Sequence, residues 1–113
     1  MKKKVTISIL LVISIILIPF IYIEIKKNSY RQQIQTYLAE EKGYELDEIQ
    51  LIQGKYHPFG LPKYWVTVVF KNEPNIEYAY FTNHAKGQFE YYNTYENTVP
   101  PIETLKNYDP SDR

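Results

Sequence analysis

A run of nineteen consecutive residues without a charge constrains this chain more than any other feature of its sequence. The run reads VTISILLVISIILIPFIYI and occupies residues 5–23. An α-helix needs about 20 apolar residues to cross a hydrocarbon core about 30 Å thick. Residues 5–23 therefore predict a transmembrane anchor whose partner is the lipid bilayer, and the 90 residues that follow it remain for a folded domain.

A cleaved secretory signal peptide is the main alternative, because it shares the basic start found in residues 1–4. The apolar region of a signal peptide is shorter and ends in a small-x-small cleavage pattern. Here the run ends with Pro19, Phe20 and three more bulky residues, none of which fits that pattern. The sequence therefore favours an uncleaved, single-pass signal anchor.

Charges on the two sides of the anchor predict its orientation. Residues 1–4 carry three lysines, and on the other side Lys26, Lys27 and Arg31 are partly offset by Glu24. Lys and Arg near a span favour the cytoplasmic side. We therefore expect a basic cytoplasmic start, a location in the cell membrane and an extracytoplasmic domain.

Composition excludes several classes of function. The formal net charge is zero, but residues 1–27 sum to +4 and residues 28–113 to −4. An acidic domain without a basic stripe is a poor match for nucleic acid, so no nucleic-acid partner is expected. The absence of cysteine excludes disulfides, thiolate nucleophiles and zinc sites that use Cys.

The pattern after the anchor predicts one helix. Over residues 24–43, Tyr30, Ile34, Tyr37 and Leu38 recur on one face of an amphipathic helix that continues from the anchor. Gly43 supplies the left-handed residue that commonly ends a helix, and Tyr44 is placed to fold back on Leu38 or Ala39.

From residue 44 to residue 95 the pattern changes to the alternation of a sheet, followed by a proline-rich, loosely ordered tail over residues 96–113. Short turns between strands favour an antiparallel meander, so the predicted fold class is α+β, with the helix packed on four strands. The predicted strands are Ile49–Tyr56 with a bulge at Gly54, Lys63–Lys71, Ile76–Thr82 and Gln88–Asn93.

Glu73 in the stretch KNEPN is the most tempting acidic group. A paired-carboxylate mechanism needs a second acid at a defined separation, which the sequence does not supply. Asn72 and Asn75 flank Glu73-Pro74 in a four-residue connection between two strands, which is typical of a hairpin turn. The prediction is a solvated turn carboxylate and not a catalytic acid.

The remaining candidates for chemistry are two histidines and two serines. His57 and His84 fall in predicted loops without the spacing of a metal-binding motif. Ser29 and Ser111 lie beside the membrane and in the tail, and neither forms a nucleophile elbow. The sequence therefore predicts no catalytic residue, no metal site and no cofactor.

Tyrosine is unusually frequent, with twelve residues in 113. A row of tyrosines on an open sheet face could stack on sugar rings or bury into a protein partner. Tyrosine also fills the core of small sheets, and that interpretation is favoured. The candidate binding face consists of Tyr64, Tyr78, Tyr80 and Tyr91.

Four sequence elements carry a resemblance to a known family. They are Tyr37-Leu38, Lys42-Gly43-Tyr44, FKNEPN over residues 70–75, and Tyr78-Ala79-Tyr80. With the basic start and the span, this pattern resembles the short, membrane-anchored Bacillus-type family catalogued as domain of unknown function 3139. The resemblance extends to about Tyr92 and implies a location and an architecture, but no activity.

Three functions follow from the sequence. The leading hypothesis is a non-enzymatic membrane protein of a Gram-positive envelope, whose domain binds or regulates an envelope protein or wall polymer. The second is a subunit of a membrane complex that acts through its transmembrane helix. The third, least favoured, is an envelope hydrolase using Glu73 or the histidines.

Overall fold

The computed structural model describes residues 2–83 and 86–111, and it confirms the α+β class. One helix, α1, runs over Lys2–Glu40 and has 39 residues. At 1.5 Å per residue it is about 58 Å long. Pro19 lies inside α1 without ending it. The amphipathic helix therefore continues from the apolar run without a break, as predicted.

The sheet has four strands, and each strand pairs antiparallel with its neighbour in sequence. This order confirms the predicted meander, and the strand ends fall within one residue of those predicted. The strands are β1 (Ile49–Tyr56), β2 (Tyr64–Phe70), β3 (Ile76–Phe81) and β4 (Gln88–Asn93).

The end of α1 forms as the sequence predicts. Gly43 has φ of +75°, a left-handed conformation that costs glycine little. The chain then reverses, and the N–H of Tyr44 donates to the carbonyl of Leu38 at 2.9 Å. The Tyr44 ring packs on Phe70 with ring centroids 4.7 Å apart. This reversal brings the chain back to the sheet at the start of β1.

The core lies between α1 and one face of the sheet, which we call the inner face. Ile34 and Leu38 of α1 are fully buried against it. Burial of an aliphatic side chain of this size is worth about 1.5–3 kcal/mol. The second half of α1 is thus part of the domain core. The buried inner-face residues are Val66, Val68, Phe70, Ile76, Tyr78 and Tyr80.

Gly54 does not form the predicted bulge. The irregularity of β1 lies between Ile49 and Leu51 instead. At Gly54 the backbone of Lys27 passes so close that a Cβ atom would overlap the Lys27 carbonyl and lie 2.9 Å from the Lys27 Cβ. The glycine therefore permits a close approach of helix and strand, one of the uses of glycine inside strands.

The C-terminal segment differs from the loosely ordered tail that the sequence predicts. Gln88 of β4 donates to the carbonyl of Asn107 at 2.7 Å, and the N–H of Asp109 donates back to Gln88 at 2.6 Å. Tyr37 of α1 donates to the Asp109 carboxylate at 2.7 Å, and Lys42 forms an ion pair with it at 3.1 Å. A polar composition predicts low order in this segment. Here, however, the polar side chains form the contacts that hold the segment on the inner face.

Candidate functional site

The two central tyrosines of the candidate binding face are buried beneath α1, so the prediction of an accessible binding surface is wrong for them. Tyr78 and Tyr80 both have an exposed fraction of 0%. Ile34 and Leu38 of α1 pack in the same core cluster. Burial raises the pKa of the Tyr80 hydroxyl, which accepts a hydrogen bond from Gln88 at 2.8 Å. The core interpretation of these tyrosines is therefore the one that the structure supports.

The other two tyrosines of the predicted face lie at the margins of this core. Tyr64 is half-buried, and its ring contacts Tyr30 at 5.2 Å and Tyr56 at 4.9 Å. Tyr91 is half-buried between Tyr78 and Tyr108, with centroid distances of 5.7 and 5.5 Å. Burial and the neighbouring Tyr108 raise the pKa of Tyr91 to about 12.

Glu73 is buried, in contrast to the solvated carboxylate that its turn predicts. Its side chain accepts hydrogen bonds from the Tyr78 hydroxyl, from the Asn107 amide at 3.0 Å and from the Lys106 N–H at 2.9 Å. The residue is only 8% exposed. A buried carboxylate needs such partners, so Glu73 joins the turn, the core and the C-terminal segment.

The same network affects the pKa of the Tyr78 hydroxyl. Burial first, and then the hydrogen bond to Glu73, raise the pKa of Tyr78. The Tyr78 hydroxyl also accepts from the N–H of Asn107 at 3.2 Å. The one sequence signal for the network is indirect: a core tyrosine needs a partner for its hydroxyl, and an acid stands five residues before Tyr78.

His57 belongs to no candidate metal site among the described residues. His57 is exposed, and its Nδ1 accepts the N–H of Phe59 at 3.1 Å. His84 lies outside the described residues. Over residues 2–83 and 86–111 no group of three His, Asp or Glu side chains is arranged to hold a metal ion.

The opposite side of the sheet, which we call the outer face, faces away from α1. Trp65 lies on it, opposite Lys55 of β1 and Phe81 of β3. Leu51 is 45% exposed and Tyr92 is 37% exposed, and Trp65 is half-buried. The exposed apolar side chains Leu51 and Tyr92 thus lie on the edge strands β1 and β4, whereas Thr67, Val69 and Ala79 between them are buried. The other side chains of the outer face are Gln53, Glu77, Phe89 and Glu90.

One end of the sheet lies beside the apolar half of α1, and we call it the near end. Lys26 lies 5.6 Å from the Tyr22 ring centroid and 5.9 Å from that of Tyr30. Tyr30 contacts Tyr64, which contacts Tyr56. This cluster links the end of the apolar run to the ends of β1 and β2, and the loop of residues 57–63 extends from it.

The comparisons with known proteins give one result. Neither the curated proteins nor the solved structures include a significant match to the chain. A family model matches residues 1–80, which are 80 of the 113 residues and include the helix, β1, β2 and most of β3. The chain therefore belongs to the family described as protein of unknown function (DUF3139).

Proposed function

We propose that this protein is a single-pass membrane protein that presents a non-enzymatic binding module outside the cell, and that the outer face of its sheet binds another envelope protein. One observation carries the proposal. The inner face is filled by α1 and by the C-terminal segment, whereas the outer face presents Trp65, Leu51 and Tyr92 at least partly to solvent. Trp and Tyr are favoured at the centre of protein interfaces.

The anchor is supported by α1. It is long and apolar enough to cross a membrane, and none of its most apolar window is buried in the domain. The side chains that it exposes there include Leu10, Leu11 and Ile15, at 58%, 59% and 70%. Exposed apolar patches of this size are unusual on a soluble monomer. A bilayer around residues 5–23 would cover them.

Charge favours a protein partner over a wall polymer. Glu77 and Glu90 lie on the outer face, where Glu77 pairs with Tyr92 and Glu90 with Ala79, and residues 28–113 carry a net charge of −4. An anionic polymer would be repelled by this surface, whereas a basic protein surface with an apolar centre would complement it. The partner of the outer face is thus expected to be a protein with basic residues around an apolar patch.

A non-enzymatic role is supported by the state of Glu73, the most tempting acid in the sequence. Both of its carboxylate oxygens accept hydrogen bonds from the protein itself, and the side chain is buried. A general acid or base must reach the substrate proton within hydrogen-bond distance. Substitution of Glu73 would consequently test the stability of the domain more than any catalytic step.

Topology is the first test. Val99 is 73% exposed and Tyr95 is 75% exposed, and the protein has no cysteine of its own. Val99→Cys and Tyr95→Cys should react with a membrane-impermeant maleimide in intact cells. Labelling only after lysis would place the domain in the cytoplasm and would contradict the proposal.

Binding through the outer face is tested by site-specific photo-cross-linking in cells. A photoreactive residue at Leu51 or Tyr92 should give the same cross-linked protein, and Trp65→Ser should abolish that product. The matched control is a photoreactive residue at Val99, which should not give it. Equal products at all three positions, or a product that persists after Trp65→Ser, would contradict the outer face as the binding surface.

A further inference from the structure

We infer that the loop of residues 57–63 is a second membrane contact, which inserts Phe59 and Leu61 into the interfacial region of the same bilayer that holds α1. The inference goes beyond the proposed function and rests on its anchor. Phe59 is 89% exposed and Leu61 is 99% exposed, the two most exposed large apolar side chains of the described chain. Two such side chains at the tip of one loop form an exposed apolar patch, and patches of this kind mark protein or membrane interaction sites.

The path of the chain puts this loop on the bilayer side of the domain. β1 begins near the end of α1, where Lys71 donates to the carbonyl of Glu48 after the chain reverses at Gly43. It then runs back along α1, so that Gly54 meets the backbone of Lys27. The loop begins three residues later. It therefore lies next to the end of the apolar run, which is Ile23.

Side chains around the loop match the chemistry of a bilayer interface. Tyr22, Tyr30, Tyr56 and Tyr64 surround its base, and Lys26 lies over the rings of the first two. Tyrosine and tryptophan are enriched at this depth, and lysine there can reach anionic head groups. Basic residues at or beside the loop ends are Lys55 and Lys63, and Trp65 follows in β2.

The loop is held in shape by its own backbone, so its apolar residues are exposed in a fixed geometry. The N–H of His57 donates to the carbonyl of Lys63 at 2.9 Å, and the N–H of Gly60 donates to the carbonyl of His57 at 3.1 Å. A Cβ atom at Gly60 would lie 2.8 Å from the Pro62 carbonyl oxygen. A preformed loop loses little conformational freedom when it inserts.

Fluorescence quenching by lipid tests the inference with the full-length protein. Trp65 is the only tryptophan of the sequence, so a Trp65→Phe background allows one reporter at a time. The reporters are Phe59→Trp and Leu61→Trp in the loop, Phe20→Trp in the anchor and Tyr95→Trp far from it. Vesicles would contain phosphatidylglycerol and phosphatidylcholine brominated near the head-group end of its acyl chains.

We expect the emission of the two loop reporters and of Phe20→Trp to be largely lost in brominated vesicles, and that of Tyr95→Trp to be retained. Quenching of Phe20→Trp without quenching of the loop reporters would overturn the loop contact and leave the anchor intact. Failure to quench Phe20→Trp would overturn the anchor and the inference together. Equal quenching at Tyr95 would also overturn it, because the whole domain would then lie on the lipid.

Discussion

The two ends of the sheet distribute apolar and charged side chains in opposite ways. At the near end, the loop of residues 57–63 exposes Phe59 and Leu61 almost completely. At the opposite end, which we call the far end, the turn of residues 71–75 buries Glu73 among Tyr78, Asn107 and the backbone of Lys106. Each end therefore reverses the usual rule of apolar inside and charged outside.

The two ends differ because each end contacts different surroundings. Glu73 is buried because the C-terminal segment covers the turn and supplies donors to both of its oxygens. Phe59 and Leu61 are exposed to a side of the domain that, under the proposal above, faces lipid. The exposure of these side chains therefore depends on what lies against each end of the sheet. It does not depend on their distance from the core alone.

Removal of the buried charge at the far end should have the largest effect. Glu73→Ala leaves the Tyr78 hydroxyl and the Lys106 N–H without their acceptor, and we expect the free energy of unfolding to fall by about 3 kcal/mol. The measurement is denaturant unfolding of the full-length protein in detergent, followed by Trp65 fluorescence. Glu103→Ala, at an exposed site, is the control, and equal losses for the two variants would contradict a structural role for Glu73.

A methyl group at the near end should have the next largest effect. Gly54→Ala forces the strand away from the backbone of Lys27, and we expect a loss of about 2 kcal/mol from overpacking. Gly43→Ala is the matched variant at the end of α1, where a Cβ atom meets nothing within 4 Å. The positive φ of Gly43 alone should cost alanine about 1 kcal/mol. A greater loss at Gly43 than at Gly54, in the same unfolding assay, would contradict the close approach.

Alkaline pH should weaken the tyrosine-rich core. The pKa of Tyr91 is raised from 10.0 to about 12, so above pH 10 the unfolded chain releases this proton while the folded chain keeps it. The stabilising contribution is complete below pH 10 and is lost as pH rises toward about 12. Tyr91→Phe should flatten this part of the pH dependence in thermal unfolding. An unchanged slope would show that Tyr91 ionises alike in both states.

Polar substitution of the near-end loop should have the smallest effect on folding. Phe59→Ser combined with Leu61→Ser removes side chains that are 89% and 99% exposed. We expect the free energy of unfolding in detergent to change by less than about 0.5 kcal/mol. A loss comparable to that of Glu73→Ala would mean that the two side chains pack against the domain. The double variant thereby separates folding from membrane contact.

Elements with a local cause could be predicted from the sequence. The alternation of apolar residues predicted the positions of β1 to β4. Gly43 and Tyr44 predicted where α1 ends. The covered face could not be predicted, because both faces of β2 are apolar. The pattern of Tyr78 and Tyr80 therefore favoured a core but left a binding surface open as the alternative.

Features with distant partners were missed for a related reason. Glu73 depends on donors 33 and 34 residues later in the chain, and no local pattern joins a turn to a proline-rich segment at that separation. Composition placed Asn107 and Asp109 in a loosely ordered tail, although the Asn107 side chain bonds to Tyr44 and that of Asp109 to Tyr37. Gly54 was misassigned because its reason is the passing backbone of Lys27, which only tertiary structure reveals.

The unbroken course of α1 through residues 2–40 fixes the orientation of the domain relative to the apolar half of the helix. The second half of the helix is packed into the core through Ile34 and Leu38, so the described helix contains no joint at which the domain could swivel. One residue inserted between Ile23 and Asn28 would turn the domain by about 100° and move it by about 1.5 Å. The number of residues between Ile23 and Asn28 therefore sets the direction in which the Trp65 side of the sheet faces, relative to the apolar half of α1.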